Sequence, residues 1–105
     1  MTSVPEIVEM LVGALQRPEQ RHELVREFQE VVLNEPERSA QGYEWDVLTD
    51  LATKMEFYVA DLHHRKEHRS YYGDERLREE ILSSLRELVE AGVITSEVMR
   101  RAASA

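Results

Sequence analysis

Apolar residues in this chain recur every three or four positions rather than every second one. Val4, Ile7, Val8, Leu11 and Leu15 share one stripe, and "SVPE" ahead of them supplies Ser3 as an N-cap with Glu6 three places later. A first amphipathic helix is predicted from these, ending near "LQRP". Pro18 suits the first turn of a second helix, in which Leu24, Phe28, Val31 and Val32 form the inner face while Glu19, Glu23, Glu27 and Glu30 point outward. "NEPERSAQG" then reads as a loop. From Tyr43, the residues Trp45, Leu48, Leu51, Ala52, Met55, Tyr58 and Val59 keep helical spacing for about four turns. Asp74, following Gly73, is expected to cap a fourth helix whose inner face holds Leu77, Ile81, Ser84, Leu85 and Leu88. Gly92 is the expected stop, and the tail from Thr95 has room for a short fifth helix that docks weakly through Val98 and Met99.

No stretch alternates apolar and polar residues in the way a half-buried strand would. The pattern predicts an all-α fold. Four helices of three to five turns with short or medium links pack most simply as an antiparallel four-helix bundle, here one domain over residues 1–105 with the short fifth helix added.

Composition narrows the function. At 105 residues and 42% hydrophobic content there is material for one core. The formal charge of −8 repels nucleic-acid backbones and attracts basic protein surfaces, so nucleic-acid binding is disfavoured. With no cysteine, disulfides and thiol nucleophiles are ruled out. Glu6 and Glu9 interrupt the first apolar stretch, which therefore reads neither as a signal peptide nor as a membrane span; a soluble cytoplasmic protein is expected.

Candidate chemistry concentrates in "EFYVADLHHRKEHRSYYGDERL", positions 56–77. His64 and His68, four apart and flanked by His63 and Glu67, approach a zinc-ligand spacing, but HExxH is absent and Arg65 and Lys66 oppose a cation, so no metal or other cofactor is expected. Arg65, Lys66 and Arg69 with Tyr71 and Tyr72 would suit single-stranded nucleic acid, yet the surrounding field is acidic, and pairing with acidic helix ends is the simpler use. Ser70, Ser83 and Ser84 lack a nucleophile-elbow setting, and no glycine-rich phosphate loop occurs, so the chain is expected not to be an enzyme.

Acid is distributed unevenly. Between positions 43 and 62, Glu44, Asp46, Asp50, Glu56 and Asp61 face a single base, Lys54. Asp46 and Asp50 lie opposite Trp45 and Leu48, which makes the run either a solvated face or a surface that mimics a phosphate backbone and docks into a basic cleft.

The segment "TKMEFYVADLHHRKEHRSYYGDERLREEILSSLREL" carries an acid-aromatic run, Glu56-Phe57-Tyr58, then Asp61, a polar link ending in tyrosine, and Asp74 opening a helix with Leu77, Ile81 and Leu85. In these features it resembles the colicin D immunity protein family, whose members protect a bacterium from its own nuclease toxin. The resemblance covers about a third of the chain. It implies a four-helix antiparallel bundle that covers a tRNA-cleaving domain with acidic side chains, with Glu56 and Asp61 as phosphate mimics and Tyr72 and Asp74 beside them. The expected partner surface thus comprises Asp46, Asp50, Glu56, Asp61, Tyr72, Asp74 and Glu75, and the expected partner is a basic nuclease toxin domain. The alternatives are a structural or regulatory protein that dimerises through apolar surface on the fourth helix or the tail, and a metal-dependent protein that uses His63, His64 and His68.

Overall fold

The computed structural model describes residues 3–34, 42–59, 66 and 71–104. It is all-α among those residues. The helices are α1 (Val4–Gln16), α2 (Arg21–Asn34), α3 (Tyr43–Lys54), α4 (Asp74–Glu90) and α5 (Ser96–Ala103), with single 3-10 turns at Pro18–Gln20 and Met55–Phe57.

Ser3 is extended and its hydroxyl accepts from the Glu6 amide, which starts α1 as the sequence predicts. The buried face of α1 is wider than the predicted stripe, adding Val12 and Ala14 to Ile7, Val8, Leu11 and Leu15. Gly13 explains part of this, because a Cβ there would meet Leu24 Cδ1 of α2 at 3.2 Å, so its absence lets the two helices close up. The end of α1 is held by a residue with no apolar role. Arg21, at the start of α2, donates from Nε to the Ala14 carbonyl (2.6 Å) and from a terminal nitrogen to the Leu15 carbonyl (3.2 Å), filling acceptors that a helix end leaves open.

Consecutive helices pack against each other from α1 through to α5, and α1 also meets α4 and α5. One apolar cluster draws on all five helices, with Phe28, Leu48, Leu51, Leu77, Ile81, Leu85 and Leu88 fully enclosed. No charged or polar side chain is buried among the described residues. Gln29 of α2 crosses to the Ala52 carbonyl of α3 (3.1 Å).

Two predicted boundaries are corrected. The third helix stops at Lys54 instead of running through Val59: after the 3-10 turn, Tyr58 is extended and forms an isolated parallel bridge with Tyr72. The bridge bonds run from the Val59 amide to the Tyr72 carbonyl and from the Tyr72 amide to the Phe57 carbonyl, both 2.9 Å. An aromatic and β-branched run, Phe57-Tyr58-Val59, prefers this pairing to another helical turn. The second correction concerns Asp74, which is the first residue of α4 and not its cap. Gly73 occupies the cap position, and the Asp74 carboxylate turns to side chains elsewhere.

At the far end of α4, Gly92 at φ +77° closes a Schellman turn, with its amide on Val89 and the Val93 amide on Leu88. α5 is fastened more firmly than its weak apolar pattern suggests. Ala102 is fully buried, Arg101 forks onto both oxygens of Glu9 (2.9 and 3.0 Å), and Arg78 reaches the Ala103 carbonyl (2.8 Å). The Glu9 carboxyl is held below its ordinary range by that Arg101 bond.

Candidate functional site

The outward face of α3 is built by elimination. Trp45, Val47, Leu48, Leu51, Ala52 and Met55 are drawn into the core, and three- and four-residue spacing then leaves Tyr43, Asp46, Asp50 and Lys54 in a row on the other side. The row continues past the helix end to Phe57. Tyr43 (53% exposed) and Phe57 (42%) are the two large apolar side chains most open to solvent among the described residues.

Asp50 and Lys54 pair at 3.1 Å, and Lys54 also lies 3.7 Å from Glu80 of α4. The bond from Asp50, with the added fields of Asp50 and Glu80, holds the Lys54 ammonium above the ordinary lysine range. Glu80 is shared with Arg76 (3.6 Å), whose guanidinium lies over the Tyr72 ring, 5.1 Å from its centre. Lys54, Phe57, Tyr72, Arg76 and Glu80 together line an open hollow of ≈ 280 Å³ at the foot of α3.

The predicted site residues separate into two groups. Asp46, Glu56 and Glu75 are exposed and have no ion-pair partner among the described residues, and Asp50 joins them on the surface with Lys54 as its neighbour. Tyr72 and Asp74 are engaged within the fold, Tyr72 buried and Asp74 at the surface. Tyr72 is 8% exposed, packs against Tyr58, and donates its hydroxyl to the Lys54 carbonyl at 2.8 Å, so it is a packed residue and not an open anchor. Burial, reinforced by the negative field of Glu80, pushes its phenol up to about 12. Asp74 accepts a 2.5 Å bond from the Tyr58 hydroxyl and pairs with Arg21 at 3.3 Å. Its charge is spent locally. Asp61 and the histidines at 63, 64 and 68 lie outside the described residues, as do the bases at 65 and 69; Lys66 is exposed.

Among the described residues there is no group of three or more His, Cys, Asp or Glu arranged to hold a metal ion, and no helix long and apolar enough to cross a membrane. Ser83 is exposed on α4 and Ser84 half-buried there; Ser70 lies outside the described residues.

Sequence reading missed Tyr43 and Phe57 as surface features, and Arg21 altogether. A signal existed for the aromatics. Tyr43 is out of phase with the Trp45-Leu48-Leu51 stripe, and of the neighbours Phe57 and Tyr58 only one can face inward. Arg21 gave no such sign, because its partners are backbone carbonyls and a distant carboxylate.

The fold and this face define a class: an all-α chain that presents carboxylates and two aromatic rings along one helix. No protein-family model, curated protein or solved structure matches the chain.

Proposed function

We propose that this chain is an immunity-like binding module, not an enzyme, that covers the active site of a cationic nuclease toxin with its acidic helical surface. The observation that carries the reading is the set of exposed carboxylates, Asp46, Glu56 and Glu75, without a compensating cation among the described residues. A formal charge of −8 adds a long-range field of the same sign. In the proposed complex Glu56 and Asp61, helped by Asp46, Asp50 and Glu75, stand where RNA phosphates would lie. Inhibition then needs no chemistry: the carboxylates occupy the cationic cleft and the helices behind them exclude the substrate. Asp74 and Tyr72 serve this surface indirectly, by fixing the base of the link that carries Asp61.

The finer architecture belongs to the same reading. An antiparallel four-helix bundle of α1 to α4, with α5 laid against α1 and α4, agrees with the neighbour-to-neighbour packing and with the α1–α4 contact that closes the ring. A cytoplasmic location follows from the role, since a producer cell must neutralise its toxin inside.

The test is tRNA cleavage by toxin domains of the colicin D class, with and without the protein. Stoichiometric inhibition is expected from the native chain, and its loss from the Glu56→Lys, Asp61→Lys double variant while the circular dichroism spectrum stays helical. Cleavage undiminished across such domains contradicts the proposal, as does full inhibition by the double variant.

A further inference from the structure

The exposed row on α3 has a composition that charge mimicry alone does not require. Tyr43 at its start and Phe57 just beyond its end are the two most exposed large apolar side chains among the described residues, and the acids lie between them. The row is physically continuous: Asp46 and Asp50 are one turn apart, Asp50 pairs with Lys54, and Lys54 and Phe57 line the same hollow. At 1.5 Å per residue the two aromatics stand about 20 Å apart, a span that suits one face of a standard interface.

Neither ring is used by the core. The core beside Tyr43 is filled by Trp45 and Val47, and beside Phe57 by Met55 and Tyr58, all buried. Aromatic side chains offer large contact area at low conformational cost, and interface energy concentrates in a few such residues. Phe57 also forms a wall of the ≈ 280 Å³ hollow, whose other sides are Tyr72, Glu80 and the stems of Lys54 and Arg76. That end of the row can receive a side chain, whereas the Tyr43 end inserts one.

Charge selects the occupant. On the row itself Asp46 and Asp50 stand against Lys54, and the hollow at its foot adds Glu80 and Arg76, so the face keeps a net negative charge and a second copy of this chain laid on it would bring like charges together. We infer that the outer face of α3 is the docking surface for a basic protein, and that Tyr43 and Phe57 are its two apolar anchors, engaging a partner whose cationic cleft is flanked by apolar contact points about 20 Å apart. The inference rests on the inhibitory reading for the identity of the partner. It adds that the rings contribute contact energy beside the carboxylates, which also set encounter and register.

The decisive variant is Tyr43→Ala with Phe57→Ala, which leaves Asp46, Asp50 and Glu56 in place and removes side chains that the core does not use. Titrated calorimetrically with the tRNA-cleaving toxin domain, it should bind roughly thirtyfold more weakly than the native chain, or worse, with an unchanged helical spectrum. If the domain binds both proteins equally, the anchors are wrong and the inhibitory reading survives. If the domain does not bind the native chain, the inhibitory reading fails and a second probe decides the surface. This is a synthetic amphipathic helix of lysine and leucine, followed by amide shifts. Shifts centred on 43–57 and diminished in the double variant support the inference; shifts elsewhere, or none, overturn it.

Discussion

Asp74 and Glu56 carry the same charge on adjoining parts of the molecule and meet different fates. Asp74 is bound by the Tyr58 hydroxyl and the Arg21 guanidinium, whereas Glu56 is exposed without an ion-pair partner among the described residues. A carboxylate already matched within the molecule gains little from a partner's cation, since exchanging one pair for another is near neutral. Tyr72 has likewise been claimed by the fold. Its phenol is raised above an ordinary value of 10.0 to about 12, first by burial and then by Glu80, with Arg76 opposing. Because the folded value exceeds the unfolded one, Tyr72 contributes stability that is fully present below pH 10 and is lost as pH climbs through about 12. Urea midpoints measured across that window should fall with pH, and Tyr72→Phe should flatten the part of the decline due to this residue. A phenolate absorbance titration with no late component would contradict the assignment.

At the scale of elements, much of the fold was legible because helices announce themselves by period. Ser3, the α1 stripe, the inner face of α4 and the Gly92 stop all follow from local rules and stand where those rules put them. What was not legible depends on residues distant in sequence. The end of α3 is not given by spacing, since Tyr58 and Val59 keep the helical period; the β propensity of Phe57-Tyr58-Val59 permits the break, and pairing with the distant Tyr72 fixes it. The strength of α5 attachment is hidden for the same reason, because Glu9 and Arg78 supply it. Arg21 is the fullest case. One guanidinium closes the end of α1 and touches the first turn of α4, so Arg21→Ala leaves two carbonyls without their donor and the Asp74 carboxylate without its cation. A loss of roughly 2 kcal/mol in urea unfolding is expected from charged hydrogen bonds of this kind. Arg21→Lys should recover less than half of it, because an ammonium lacks the fork that reaches all three acceptors. Full recovery with lysine would mean that charge alone matters there.

Over the whole molecule, the five helices set apart two uses of charge. Arg21 with Asp74, Lys54 with Glu80, and Arg101 with Glu9 join elements to each other, while Lys54 and Asp50 pair along α3 itself. Along α3, beyond its end and at the first turn of α4, Asp46, Glu56 and Glu75 are among the exposed acids without an ion-pair partner in the described residues, and in the proposed reading they form part of the negative surface of the −8 chain. A basic partner should be drawn to that surface before any contact forms, which makes the association rate, as well as the final affinity, a quantity these acids control. The most direct measurement is stopped-flow association with a colicin D-class toxin domain at increasing salt, for the native chain and for Asp46→Lys with Glu56→Lys. The account predicts a rate that falls steeply with salt for the native chain, and a slower rate with a shallower salt dependence for the variant. Equal rates and equal salt slopes for the two proteins would contradict it.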